Sequence, residues 1–162
     1  MAKNILADKV LIIDFGSQYT QLIARRVREL GVYCEIYNHR ASLKSIKDFN
    51  AKGIILSGGP ETVKQKGSPK VPEKVLDLGI PLLGICYGMQ SIAKQLTGKV
   101  ELAEKREFGH ADLVLKNKAS GLFKGINANK ISVWMSHGDH VSKLPQGFKV
   151  CATTNNSPIA AF

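Results

Sequence analysis

Cysteine is scarce in this chain, with three residues in 162: Cys34, Cys86 and Cys151. An odd number at no metal-like spacing argues against a disulfide framework and fits a reducing cytosol, so a cytoplasmic location is expected. Long apolar runs are also lacking. No stretch approaches the ~18 residues that would cross a bilayer, and Met1–Lys9 has no long apolar core. Neither a membrane partner nor a secretory leader is expected. Acidic residues are the minority, 13 against 23 lysines and arginines, for a net charge of +10. The basic residues, such as Lys44, Lys47, Lys64, Lys66, Lys116 and Lys118, are scattered, and aromatics do not interleave with them. No nucleic-acid recognition element stands out, so nucleic acid is not an expected partner and a solvated basic surface is the simpler reading. Internal repeats and low-complexity segments are absent.

What is present fits one globular domain. Hydrophobic residues make up 44% and charged residues 22%, an ordinary balance for a chain long enough to bury a sizeable core.

The first half alternates strand and helix signals. Lys9–Asp14 is a β-branched run with the look of a strand buried on both faces. Tyr19–Leu30 carries Leu22, Ile23, Val27 and Leu30 at helical spacing and is stopped by Gly31. Val32–Tyr37 is a second strand, in which Cys34 reads as packing. Ser42 is placed to cap a short helix through Phe49, and Gly53–Leu56 is a third strand. Thr62–Lys70 reads as exposed loop, and Pro72–Leu78 as a helix stopped by Gly79. Ile80–Ile85 reads as the central strand. Met89–Leu96 follows as a helix stopped by Gly98. After that the rhythm changes. Lys99–Leu102, Ala111–Leu115, Ile131–Trp134 and Phe148–Ala152, where Cys151 again reads as core, are short strands without intervening long helices. Pro158–Phe162 has the look of a strand beginning. The expected fold is α/β: an open, mostly parallel sheet with helices on both faces and an antiparallel or mixed extension. No domain boundary is evident. The loops after Asp14, Leu56 and Ile85 all leave strand C-termini and should converge on one edge, where such sheets bind ligands.

The most informative stretch is Gly84-Ile85-Cys86-Tyr87-Gly88-Met89-Gln90. An apolar strand runs into a cysteine bracketed by glycines two residues away on each side, and a helix starts at once. A sharp strand-to-helix turn of this kind exposes a nucleophile. A thiol at a helix N-terminus is expected to ionise below the usual ~8.5. The N–H of Tyr87 is placed to stabilise an oxyanion. A buried structural cysteine is the commoner role for a lone Cys, but the strand, the Gly-x-Cys-x-Gly turn and the helix together favour the nucleophile. Ser57-Gly58-Gly59-Pro60 is a tight loop whose spacing fits either close backbone approach to a ligand or an ordinary Gly-Pro turn. It lacks the Lys-Ser/Thr of a phosphate-binding loop.

The Cys86 stretch resembles the nucleophile motif of the class I glutamine amidotransferases. Three further stretches narrow the likeness: Asp14-Phe15-Gly16-Ser17-Gln18-Tyr19-Thr20-Gln21, Leu56-Ser57-Gly58-Gly59-Pro60-Glu61 and Trp134-Met135-Ser136-His137-Gly138-Asp139. With Arg106-Glu107-Phe108-Gly109 between the last two, the order is similar to the N-terminal amidotransferase domain of the GMP synthase family, from about Val10 to the last residue. The resemblance implies a flavodoxin-like amidotransferase fold and glutamine as substrate. It implies Cys86 as nucleophile, forming a thioester and releasing ammonia, with the N–H groups of Gly59 and Tyr87 as oxyanion donors. Gln90 and the Ser136, His137, Gly138 and Asp139 loop would hold the α-amino and α-carboxylate groups of glutamine. No cofactor is implied for this domain. ATP and magnesium would belong to an ATP-pyrophosphatase domain, the implied partner, which converts XMP to GMP and lies with a dimerisation domain outside this sequence.

In the family the base and its carboxylate partner lie in a Phe-His-Pro-Glu motif, which does not occur here. Of His39, His110, His137 and His140, His137 has a substrate-side place by resemblance and is not promoted to base. The chain is therefore expected to be an amidotransferase domain incomplete at its C-terminus. Two rivals stand beside the enzyme reading: a catalytically incompetent domain that binds glutamine or a partner, and an α/β cysteine hydrolase of another substrate class.

Overall fold

The computed structural model describes residues 7–117 and 121–162, with the backbone alone at position 104. Met1–Leu6, most of the N-terminal stretch read for a leader, and Lys118, one of the scattered lysines, lie outside the described residues. The chain divides into two compact units, residues 1–92 and 93–162.

In the first unit, β1 (Lys9–Asp14), β2 (Tyr33–Asn38), β3 (Gly53–Leu56) and β4 (Leu82–Gly84) form a parallel sheet in the order β2-β1-β3-β4. The apolar run of β1 suits its inner position: Leu11, Ile12 and Ile13 are all fully buried, as a strand covered on both faces requires. Helix α1 (Thr20–Glu29) packs on one face, where Ala24 meets Ile12 and Cys34. Helix α2 (Leu43–Phe49) packs on the other. Its Phe49 ring meets Tyr37 edge-on at 5.7 Å, and strand alternation sets Tyr37 opposite to Cys34 and Ile36. Ser42 caps α2 as expected, its Oγ accepting from the N–H of Ser45 at 3.1 Å.

Three local expectations fail here for physical reasons. Leu22 and Leu30 are 45% and 80% exposed. The buried stripe of α1 is centred on Ile23, Ala24 and Val27 with Thr20; at 100° per residue Leu22 falls opposite that stripe, and Leu30 lies past the last helical residue. Pro72–Leu78 forms only a single 3₁₀ turn at Glu73–Val75. A segment so short does not repay helix nucleation, and Val75 alone anchors it to the core. The strand read as central, β4, lies at one end of the sheet order, with β1 and β3 in the inner positions.

Helix α3 (Tyr87–Gln95) runs across the division between the units. In the second unit, β5 (Lys99–Leu115), β6 (Lys130–Lys143) and β7 (Ala152–Thr153) form an antiparallel sheet in the order β6-β5-β7. Among the described residues this is a sheet of its own, not an extension of the parallel one. The stretches Lys99–Leu102 and Ala111–Leu115 belong to one long strand, and β6 continues through Ser136–Asp139. Of Phe148–Ala152 only Ala152 is in a strand, and the chain end reaches it through a single bridge, Ala152 to Ala161. Leu113, Leu115, Phe123, Cys151 and Ala152 make the core of this unit.

Candidate functional site: a cysteine elbow at the strand ends

Because β1, β3 and β4 are parallel, Asp14, Leu56 and Gly84 end on the same edge of the sheet. Ser57 ties the emerging loops together. Its N–H donates to the Ile13 carbonyl and its carbonyl accepts from the Gly88 N–H, both at 3.0 Å. Its Oγ accepts from the Phe15 N–H at 3.0 Å and donates to the Gly58 carbonyl at 2.8 Å. Ser57 is fully buried, and the sequence reading gave it no part. A hydroxyl ending an apolar strand just before two glycines was the available signal. The loop after β1 is held locally: Asp14 Oδ1 accepts from the Gly16 N–H at 2.8 Å and from the Thr20 hydroxyl at 2.7 Å.

Cys86 sits at φ +51°, left-handed backbone that costs an L-residue about 1–2 kcal/mol. This is the strained strand-to-helix elbow that the sequence pattern requires. The bracketing glycines are there for space. A side chain on Gly84 would come within 2.6 Å of the Met89 nitrogen, and one on Gly88 would run into the Leu56 carbonyl. The Ser57–Gly59 loop faces the elbow: the position a Gly58 Cβ would occupy is 3.7 Å from Cys86 Cβ. A Cβ on Gly59 would lie 2.6 Å from the Phe15 carbonyl oxygen. Gln90 is buried one turn into α3, its N–H donating to the Cys86 carbonyl at 3.0 Å. Tyr87 is buried, and its hydroxyl donates to the Pro69 carbonyl at 2.6 Å.

The electrostatics of the thiol run against expectation. Burial pushes the Cys86 thiol above its ordinary value, and the Tyr87 backbone N–H offsets this only in part. Removing a thiolate from water outweighs the single amide that favours it.

The first unit thus gathers Gly59, Cys86, Tyr87 and Gln90 around the β3 and β4 ends. Ser136, His137, Gly138 and Asp139 belong to the second unit and lie within β6, not in a loop. Asp139 pairs with Leu102 and His137 with Glu107, so residues 103–106 of β5 bulge against Gly138 alone. Glu107, part of the quoted Arg106–Gly109 stretch, is buried here. Its Oε1 accepts from the Thr154 hydroxyl at 2.5 Å, and its Oε2 lies 3.0 Å from His137 Nε2. That second contact is a close approach rather than a hydrogen bond, and it is an ion pair only when His137 carries a proton on both ring nitrogens. The other ring nitrogen of His137 is 3.1 Å from the Asp139 carbonyl. His39 stacks on Phe15 with ring centroids 6.0 Å apart, and His110 and His140 pair across β5 and β6 with Trp134 and Glu101. Among the described residues no cluster of His, Cys, Asp or Glu is arranged to hold a metal ion, and no helix is long and apolar enough to cross a membrane.

The parallel sheet, the elbow cysteine and the glycine loop beside it define a class of protein, and the comparisons agree. Residues 11–162 match the family described as glutamine amidotransferase class-I, and the chain belongs to that family. Within it, curated relatives similar to this chain include GMP synthases. That of Stenotrophomonas maltophilia, named GMP synthase [glutamine-hydrolyzing], is 56% identical over 162 residues, 98% of this chain and 31% of the relative. That of Hahella chejuensis is 52% identical over 168 residues, 99% and 32%. The chain therefore spans about a third of the length of these relatives. Among solved structures, a Thermoplasma acidophilum protein described as a GMP synthase subunit superposes with a TM-score of 0.81 at 30% identity, covering 94% of this chain and 75% of that one. A glutamine amidotransferase from Thermotoga maritima shares the fold with a TM-score of 0.72 at 21% identity, covering 93% and 68%.

Proposed function

We propose that this chain is the glutamine-hydrolysing module of a GMP synthase, supplying ammonia for the conversion of XMP to GMP. The observation that carries the reading is Cys86 at φ +51° between two glycines that tolerate no side chain. In this reading the Cys86 thiolate attacks the side-chain amide carbon of glutamine. The tetrahedral oxyanion takes hydrogen bonds from the Gly59 and Tyr87 N–H groups, the amide nitrogen takes a proton from solvent and leaves as ammonia as the carbonyl re-forms, and water adds to the thioester, releasing glutamate and returning the Cys86 sulfur as thiol. Gln90, Ser136, His137, Gly138 and Asp139 are assigned to holding the α-amino and α-carboxylate groups, on family resemblance. None of the four histidines is assigned as base: His39 backs Phe15, and the place of His137 is substrate-side by family resemblance. The ammonia passes to XMP on an ATP-pyrophosphatase domain, where ATP and magnesium act, and the setting is cytoplasmic.

The test is labelling with 6-diazo-5-oxo-norleucine, a glutamine-like electrophile, followed by peptide mapping. Labelling at Cys86, slowed by excess glutamine, is the expected result. Labelling led by Cys34 or Cys151, or indifferent to glutamine, would overturn the reading.

A further inference from the structure

The stretch Asp14–Gln21 helps to identify the family, yet the proposed chemistry gives it no part. Its Phe15 lies between the two residues that the proposed function makes oxyanion donors. Phe15 is 3% exposed. Its carbonyl oxygen and Cβ stand 2.6 Å and 3.1 Å from where a Gly59 Cβ would be, so the Gly59 backbone rests directly on Phe15. Its ring packs against Tyr87 with centroids 5.1 Å apart at 55° and is backed on His39 at 6.0 Å. Each partner of the ring pair is anchored once: the Phe15 N–H donates to Ser57 Oγ, and the Tyr87 hydroxyl donates to the Pro69 carbonyl beyond Gly59 in the same loop. A rigid aromatic ring thus touches one donor residue while its own backbone touches the other. Buried rings in such contacts have few alternative positions.

We propose that Phe15 is a positioning residue that sets the separation of the Gly59 and Tyr87 N–H groups, and hence the fit of the site to a tetrahedral oxyanion. The proposal rests on the amidotransferase reading above. It assigns Phe15 an effect on the tetrahedral state and none on ground-state glutamine, because neither its ring nor its carbonyl is a donor to substrate.

The test compares two ligands by their protection of Cys86 from iodoacetamide in the full chain. Glutamine is read at mixing times short against turnover, so that its protection reports the complex held before covalent change. Glutamate γ-semialdehyde binds by addition: the Cys86 sulfur bonds to the aldehyde carbon, the carbonyl π pair moves to oxygen, and the thiol proton ends on that oxygen or in solvent. Alkylation by iodoacetamide displaces iodide and needs no oxyanion donor, so its rate reports an intact elbow. For F15L, which keeps an apolar side chain of moderate size, we expect the aldehyde to lose about tenfold in affinity and glutamine less than twofold, the loss reflecting one misplaced oxyanion donor. Y87F, which keeps the ring and frees its hydroxyl tether, should move the aldehyde in the same direction by less. Equal weakening of both ligands, or alkylation slowed with them, would make Phe15 a structural residue and overturn the proposal, as would an unchanged aldehyde affinity. If neither ligand protects the unaltered protein, the amidotransferase reading itself falls, and the role of Phe15 with it.

Discussion

Gly88→Ala sets two physical effects of opposite sign against each other. Gly88 lies inside α3, and there alanine is the better helix former by up to about 1 kcal/mol. Propensity alone therefore predicts a more stable protein. The packing predicts the reverse. A Cβ at this position would overlap the Leu56 carbonyl oxygen and stand 2.7 Å from both the Leu56 carbonyl carbon and its Cβ. Two of these three are backbone atoms of an inner strand and have no flexible end to swing away. Relief requires α3 to lift from β3, which would stretch the bonds from Ile85 N–H to the Leu56 carbonyl and from Gly88 N–H to the Ser57 carbonyl, now 2.9 and 3.0 Å. Overpacking of this kind costs roughly 1–3 kcal/mol, and each bond weakened adds about 1 kcal/mol. After the propensity gain a net loss of about 2–4 kcal/mol remains. For a chain of this size that lowers the melting temperature by roughly 4–16 °C. The assay is thermal unfolding followed by circular dichroism, with Gly121→Ala as control, because a Cβ there meets nothing within 4 Å and Gly121 has no left-handed φ. The control should move by less than about 0.5 kcal/mol. A Gly88→Ala protein that melts with or above the unaltered one would refute the reasoning.

Other expectations concern the cap, the thiol and the buried pair. Ser42→Ala removes the Oγ that caps α2 and should cost about 1 kcal/mol in urea unfolding. Iodoacetamide labelling of Cys86 should rise with pH, since thiolate is the reactive form. Because burial raises the folded thiol, the midpoint should lie above the ~8.5 of the urea-unfolded chain; a midpoint below that value would contradict the burial argument. Glu107→Ala removes one carboxylate from beside both His137 and Thr154, and should cost about 1.5–3 kcal/mol by urea unfolding, as losing a buried hydrogen bond to a carboxylate does.

The parallel half of the fold was legible because its signals are local. The unbroken apolar run of β1, the Ser42 cap and the Gly-x-Cys-x-Gly turn each state their structure within a few residues, and parallel strands then oblige their loops to share one edge. The less legible parts depend on contacts between distant residues. Nothing local to Ile80–Ile85 says which neighbours the strand has, so an end strand read as a central one. The long strands β5 and β6 are interrupted by polar motifs, and only their pairing shows that these motifs are strand with a bulge. Ser57, Phe15 and Glu107 were in plain view within quoted motifs. Their parts lie in contacts with Gly88, Tyr87 and His137, at separations of some thirty or more residues that no spacing rule reaches. The thiol was misjudged for a related reason: the turn announces a helix dipole, whereas burial is a property of the packed unit.

The central claim is that Cys86 forms a covalent intermediate with glutamine, and the most direct measurement traps it. The protein is mixed with glutamine, quenched in acid to preserve thioesters, digested, and examined by mass spectrometry. The account predicts a γ-glutamyl adduct on the peptide bearing Cys86, lost in Cys86→Ala and absent from the Cys34 and Cys151 peptides. Ammonia release from glutamine by the Cys86→Ala protein at the unaltered rate, or an adduct on a different cysteine, would contradict it.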